Sequence, residues 1–175
     1  MLRLFVGIGL PPPVKLRLSL LCAGIPGARW VEPGNYHLTL RFIGEVDEGM
    51  ASDIDEALSL IRARRFELTL AGVGQFGDRM LWAGVEKSPA LFHLRDKVES
   101  ALVRLGLEPE ARRYAPHVSL ARLKGASETR LQVFLAEHAL FRSEAIAVEH
   151  FSLVASYLTK SGAIYEDQAD YPLTR

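Results

Sequence analysis

The chain has a single cysteine, Cys22, in 175 residues. A lone thiol forms no internal disulfide, and it excludes a zinc site built from cysteines. Neither charge is in excess, since 21 Lys and Arg balance 21 Asp and Glu. No global basic field therefore exists to hold a long nucleic acid non-specifically, although one local cluster suffices for a nucleotide or an RNA end. Long apolar runs are also missing. The opening MLRLFVGIGL meets Pro11-Pro12-Pro13 after ten residues. It is too short to span a membrane and has no small-residue cleavage site, so a cytoplasmic chain without membrane contact is expected. Several catalytic signatures are absent too. Gly72, Gly74 and Gly77 form no phosphate-binding loop, and no G-x-S-x-G elbow occurs. What is present is ordinary for a globular protein: 49% apolar and 24% charged residues. A chain of this length forms one domain, or two small lobes sharing an interface, and buries roughly 70% of its unfolded surface.

The order of elements repeats. Leu4-Phe5-Val6-Gly7-Ile8 and Leu81-Trp82-Ala83-Gly84-Val85 are short apolar runs that suit buried strands. Each leads through proline into a helical pattern. The first covers Pro13 to Ala23, with Val14, Leu18 and Leu21 on one face. The second covers Pro89 to Leu105, with Leu91, Leu94, Val98, Leu102 and Leu105 on one face. Strands His37-Leu38-Thr39-Leu40 and His117-Val118-Ser119-Leu120 follow, 80 residues apart. Helices over Asp47 to Arg62 and Ser127 to His138 come next, with Asp47 and Ser127 as N-caps. Each half ends on an alternating strand, Phe66 to Leu70 and Val148 to Leu153. The first strand of each half need not lie in the lobe nearest it in sequence. An approximate two-fold would relate the halves, with the site where they face each other.

Side chains alternate along a strand. His37 and Thr39 therefore share one face, with Leu38 and Leu40 turned to the core. His117 and Ser119 share another, with Val118 and Leu120 behind them. Two imidazoles across one substrate make an acid–base pair, because their ordinary pKa near 6.5 lets a neutral and a protonated ring coexist. The hydroxyls suit the nonbridging oxygens of a phosphodiester. This chemistry needs no metal and no cofactor, and no third ligand stands at zinc spacing from the two histidines. One H-x-T or H-x-S alone is weak; two copies in matched settings are much stronger.

On these residues the chain resembles the 2H phosphoesterase superfamily, and within it the bacterial and archaeal RNA 2',3'-cyclic phosphodiesterases, also called 2'-5' RNA ligases. The likeness runs through RLFVGIGLP, WVEPGNYHLTLRFIGEV, GVGQF, MLWAGV, RRYAPHVSLAR and FSLVASYLTKSGAIYE. Ser119 departs from the usual threonine but keeps the hydroxyl. The resemblance implies an α+β fold over residues 1–175, a single domain of two pseudo-symmetric lobes. Two antiparallel sheets would face a central cleft, with helices outside. It implies hydrolysis of a 2',3'-cyclic phosphate to a 2'-phosphate, with His37 as proton donor and His117 as proton acceptor. The near-symmetry of the motifs leaves those roles open to exchange. RNA ends or small cyclic nucleotides would be the partners of a monomer. The alternatives are 2'-5' ligation, hydrolysis of another cyclic or 2'-5' phosphodiester, or a module that binds RNA ends without turnover.

The resemblance also places Arg122 in the substrate pocket, five residues after His117. Phe42 is its counterpart after His37, either as a partner in clasping a base or as core. Positions five apart in an ideal strand face opposite ways, so Arg122 reaches the cleft only through a twist, a bulge or a strand end near Ala121. Other residues have simpler expectations. His93 belongs to a helix face, His138 to a helix C-terminus, and His150 has no evident partner. Arg62 to Arg65 cap a helix and solvate a turn. Contact with RNA phosphates beyond the reacting end is the sharper role for such a cluster, and Arg112-Arg113 suit it better because they approach the cleft mouth. Tyr36 is wall or packing, and Cys22 is core within a helix.

Overall fold

The computed structural model describes residues 1–175. The first apolar run is the buried centre of β1 (Leu2–Gly9). Prolines at its first turn start α1 (Pro12–Leu21), which buries Val14 and Leu18. A two-residue β2 (Arg29–Trp30) and a 3₁₀ turn (Pro33–Asn35) lead into β3 (His37–Val46). Asp47 accepts from the Met50 amide at 2.7 Å and caps α2 (Glu48–Ser59). Then come β4 (Phe66–Leu68), β5 (Leu70–Phe76) and β6 (Met80–Val85). Ser88 caps α3 (Pro89–Arg104), whose buried Leu91, Leu94, Val98 and Leu102 are the predicted stripe. β7 (His117–Arg122) follows, then α4 (Glu128–Glu137), capped by Ser127. The chain ends in β8 (Ile146–Val148), β9 (His150–Thr159) and β10 (Gly162–Pro172).

The strands form two four-stranded antiparallel sheets, ordered β10-β9-β1-β3 and β2-β7-β6-β5. Two expectations are corrected here. The strands expected over Phe66–Leu70 and Val148–Leu153 are each broken, at Thr69 and Glu149. The short leading pieces, β4 and β8, pair with each other. The longer trailing pieces change sheets: β5 joins β6, and β9 joins β1. The first strands, β1 and β6, stay with β3 and β7, while β5 and the short β2 cross to one sheet and β9 with β10 to the other. This exchange threads the halves together, and a core of 35 buried residues runs through both sheets and the helices. No helix is long and apolar enough to cross a membrane.

One charged residue lies inside. The side chain of Arg41 is only 8% exposed, and its Nε donates to both Glu99 carboxylate oxygens at 3.2 Å. Its Nη1 donates to the Phe42 carbonyl at 2.6 Å, and its Nη2 to the Glu108 carbonyl. Arg41 therefore fastens β3 to α3 and to the segment leading into β7. Arg41→Ala would leave two carbonyls unpaired and Glu99 with Arg95 alone, at 3.3 Å. A loss of about 2–4 kcal/mol is expected in urea unfolding. A loss below about 1 kcal/mol would mean that these bonds contribute little.

Candidate active site

Both histidine strands break their alternation at the same point. In β3, Thr39 faces Gly7 but Arg41 faces Val6, so Leu40 is an extra residue. In β7, Ser119 faces Trp82 but Ala121 faces Leu81, so Leu120 is extra. Each bulge reverses the facing of the residues that directly follow it. Leu40 and Arg41 are both buried, as are Leu120 and Ala121, and Phe42 and Arg122 then return to the open side. The bulge is what returns Arg122 to the side of β7 that carries Ser119, with which it lines one hollow.

β3 and β7 approach each other across the cleft. The two rings are held alike. The carbonyl of Asn35 lies 3.3 Å from His37 Nδ1, and that of Ala115 lies 2.7 Å from His117 Nδ1. A carbonyl only accepts, so each Nδ1 carries the hydrogen and each Nε2 is left for substrate. Aromatic edges fix the ring planes. Phe5 and Tyr165 sit 5.8 and 5.6 Å from His37; Phe76 and Trp82 sit 4.8 and 6.3 Å from His117. Burial lowers the pKa of His37 below its ordinary value. The Asn35 carbonyl and Asp167 oppose this shift, and Lys15 adds to it.

Two adjoining hollows share Thr39. One, of about 110 Å³, is lined by His37, Thr39, Ser119, Arg122 and Tyr165. The other, of about 420 Å³, is lined by Thr39, Phe42, Phe76, Tyr114 and His117. His37, Thr39, Ser119 and Arg122 thus line one hollow and His117, Thr39 and Phe42 the other, with Thr39 common to both. Arg122 and Phe42 line different hollows, however, so a single base clasped between them is not what the geometry offers. Phe42 is 47% exposed and so is not core. The Ser119 hydroxyl lies 3.3 Å from Met80 Sδ, a weak partner that a substrate oxygen can replace. A larger hollow between α2 and α3, about 470 Å³, brings His93 together with Leu60 and Arg104 but has no comparable set of converging groups.

Tyr114 also belongs to the site's frame, with its hydroxyl donating to the Thr39 carbonyl at 2.9 Å. It ties the approach to the second motif onto the first. Its closeness to His117 in sequence is a signal, but its partner is visible only in the fold. Tyr36 is packing rather than wall: it is 1% exposed and its hydroxyl is 3.3 Å from Cys22 Sγ. Cys22 is half-buried just past the end of α1, not within it. His93 is exposed on α3, and His138 ends α4 with its ring 4.6 Å from Phe134. Arg62 donates to carbonyls of Ser59 and Ile61 at the end of α2, as a cap.

A family model described as LigT like phosphoesterase matches the chain twice, over residues 8–85 and 81–165. The RNA 2',3'-cyclic phosphodiesterase of Aeropyrum pernix is 40% identical over 158 residues, covering 87% of this chain and 89% of that protein. The protein of the same name from Thermotoga maritima is 34% identical, covering 94% and 92%. Among solved structures, E. coli LigT complexed with 3'-AMP superposes with a TM-score of 0.83 at 28% identity, covering 99% of both chains.

Proposed function

The chain belongs to the LigT like phosphoesterase family, and from that membership we propose that it hydrolyses RNA 2',3'-cyclic phosphate ends to 2'-phosphates. The observation that carries the mechanism is the matched pair of imidazoles, each anchored through Nδ1 with Nε2 free. Water attacks phosphorus while His117 Nε2 takes its proton. The bond from phosphorus to O3' breaks, and His37 Nε2–H protonates O3'. The phosphate stays on O2'. Each proton transfer contributes about 10²–10⁴ in rate. Thr39 and Ser119 hydroxyls donate to the nonbridging oxygens, and Arg122 offsets their negative charge. Phe42 offers an apolar face beside the reacting end.

The lowered pKa of His37 keeps the free ring neutral. The negative charge of a bound diester favours its imidazolium, so the donor forms when substrate arrives. The same lowering suits the exchanged roles, with His37 as base, and this is the second reading. Names of structural neighbours support a nucleotide ligand, since E. coli LigT has been solved with 3'-AMP and with NADP+. We treat residues 1–175 as one domain of two lobes, because last strands are exchanged and the core is shared. A monomer suffices, as both histidines come from one chain. A cytoplasmic location fits the lone thiol.

The test is product analysis on an oligonucleotide ending in a 2',3'-cyclic phosphate. A 2'-phosphate end is expected. A 3'-phosphate end, or no turnover, would refute the proposal. Adding an oligonucleotide with a free 5'-hydroxyl checks the ligase alternative through the appearance of a 2'-5' junction.

A further inference from the structure

We propose that the RNA leading up to the cyclic phosphate leaves the cleft as a single strand over one flank only. That flank is the groove between β3 and the segment before β7. Its phosphates rest on Arg112 and Arg113, and its bases against Phe76 and Phe42. The inference rests on the hydrolase reading above and adds the path of the substrate.

The groove begins at the site itself, since Thr39 and His117 line it. Phe42 and Phe76 are 47% and 41% exposed along it. Large rings held open beside a reactive centre serve as stacking platforms for unpaired bases, a sequence-tolerant contact. The guanidinium of Arg3 lies 5.5 Å from the centroid of the Phe42 ring. Two further arginines in the groove are already committed: Arg41 and Arg95 both pair with Glu99. Arg112 and Arg113 are exposed and form no ion pair. The nearby Glu110 carboxylate is turned to the Arg112 backbone amide at 3.1 Å. Aromatic faces interleaved with unpaired guanidinium groups suit single-stranded RNA.

The other flanks suit it less. A second groove bordering His37, of about 560 Å³, is lined by Lys15 together with Glu144 and Asp167, whose carboxylates repel phosphate. The cluster of Arg62, Arg64, Arg65 and Lys97 lines a hollow of about 400 Å³ that contains no aromatic side chain other than His93 and shares no residue with the site. Its Arg62 bonds carbonyls of its own helix end, and its Arg65 lies 3.8 Å from Glu149.

The experiment compares two substrates, 2',3'-cyclic AMP and a hexanucleotide ending in a 2',3'-cyclic phosphate. For a variant carrying both Arg112→Ala and Arg113→Ala, kcat/KM on the hexanucleotide is expected to fall about tenfold or more, with the mononucleotide unchanged. The slope of log KM for the hexanucleotide against log salt should flatten by about 1.4, or 0.7 for each lost contact. No loss on the hexanucleotide, or an equal loss on both substrates, would overturn the track. So would an equal hexanucleotide-specific loss in a variant carrying Arg64→Ala and Arg65→Ala. If the unaltered protein turns over neither substrate, the hydrolase reading fails by itself. Fluorescence anisotropy of the same hexanucleotide then reads the track, which falls if the double variant binds as tightly as the unaltered protein.

Discussion

His37→Ala or His117→Ala is expected to lower kcat/KM on an oligonucleotide cyclic phosphate by about 10³–10⁴, near the upper end for one lost proton transfer. Each substitution removes a ring whose Nε2 is left free and whose Nδ1 is bonded only to a nearby backbone carbonyl. The two rings act as a unit, so the double variant should be little worse than either single one. What remains comes from Thr39, Ser119 and Arg122 holding the phosphate. Stability should scarcely change. Neither ring lies in the deep core, and each loses mainly edge contacts with its aromatic neighbours. A melting temperature within a few degrees of the unaltered protein, measured beside the kinetics, separates lost chemistry from lost fold. Full activity in either variant would end the two-histidine mechanism.

That pair was legible in the sequence because apolar neighbours set strand register. Leu38 and Leu40, like Val118 and Leu120, must face inward, and this alone turns each histidine and hydroxyl outward. The helices were legible for a similar reason: Asp47 and Ser127 stand where caps are needed, proline opens the first turn of α1 and α3, and apolar spacing marks the buried stripes. A bulge near Ala121 was one of three ways for Arg122 to reach the cleft, but nothing local chose it, and its counterpart in β3 was not legible at all. Leu40-Arg41 and Leu120-Ala121 hold no glycine or proline, and a bulge is fixed by the register of the partner strand. Thr69 and Glu149 likewise fit an extended chain, so nothing local betrays the break that sends β5 and β9 to opposite sheets. Arg41 resembles any outward-facing charge until the bulge turns it toward Glu99. Tyr114 could be read as a neighbour of the motif, but its bond to the Thr39 carbonyl spans 75 positions. Long-range polar partners leave no periodic trace.

An aryl phosphodiester should separate the two roles, because a phenolate leaves without being protonated. With His37 as donor, His37→Ala should lose less than about tenfold on the aryl ester, while losing about 10³-fold or more on the cyclic phosphate. His117→Ala should lose heavily on both, since the attacking water still needs its base. The opposite pattern would assign the donor to His117. The pH profiles add a second check. Burial lowers the pKa of His37 in the free protein, so its protonated form is lost at lower pH than for an ordinary histidine. The profile of kcat/KM reports the free protein, and that of kcat reports the complex. A bound diester anion raises the pKa of a neighbouring imidazole. If His37 is the donor, the alkaline limb of kcat should therefore lie at higher pH than that of kcat/KM. The limbs belong to the coupled pair rather than to one ring, so it is their displacement on binding that carries the information. Coincident alkaline limbs, together with no relief on the aryl ester, would remove His37 from the donor's place and leave it as the base.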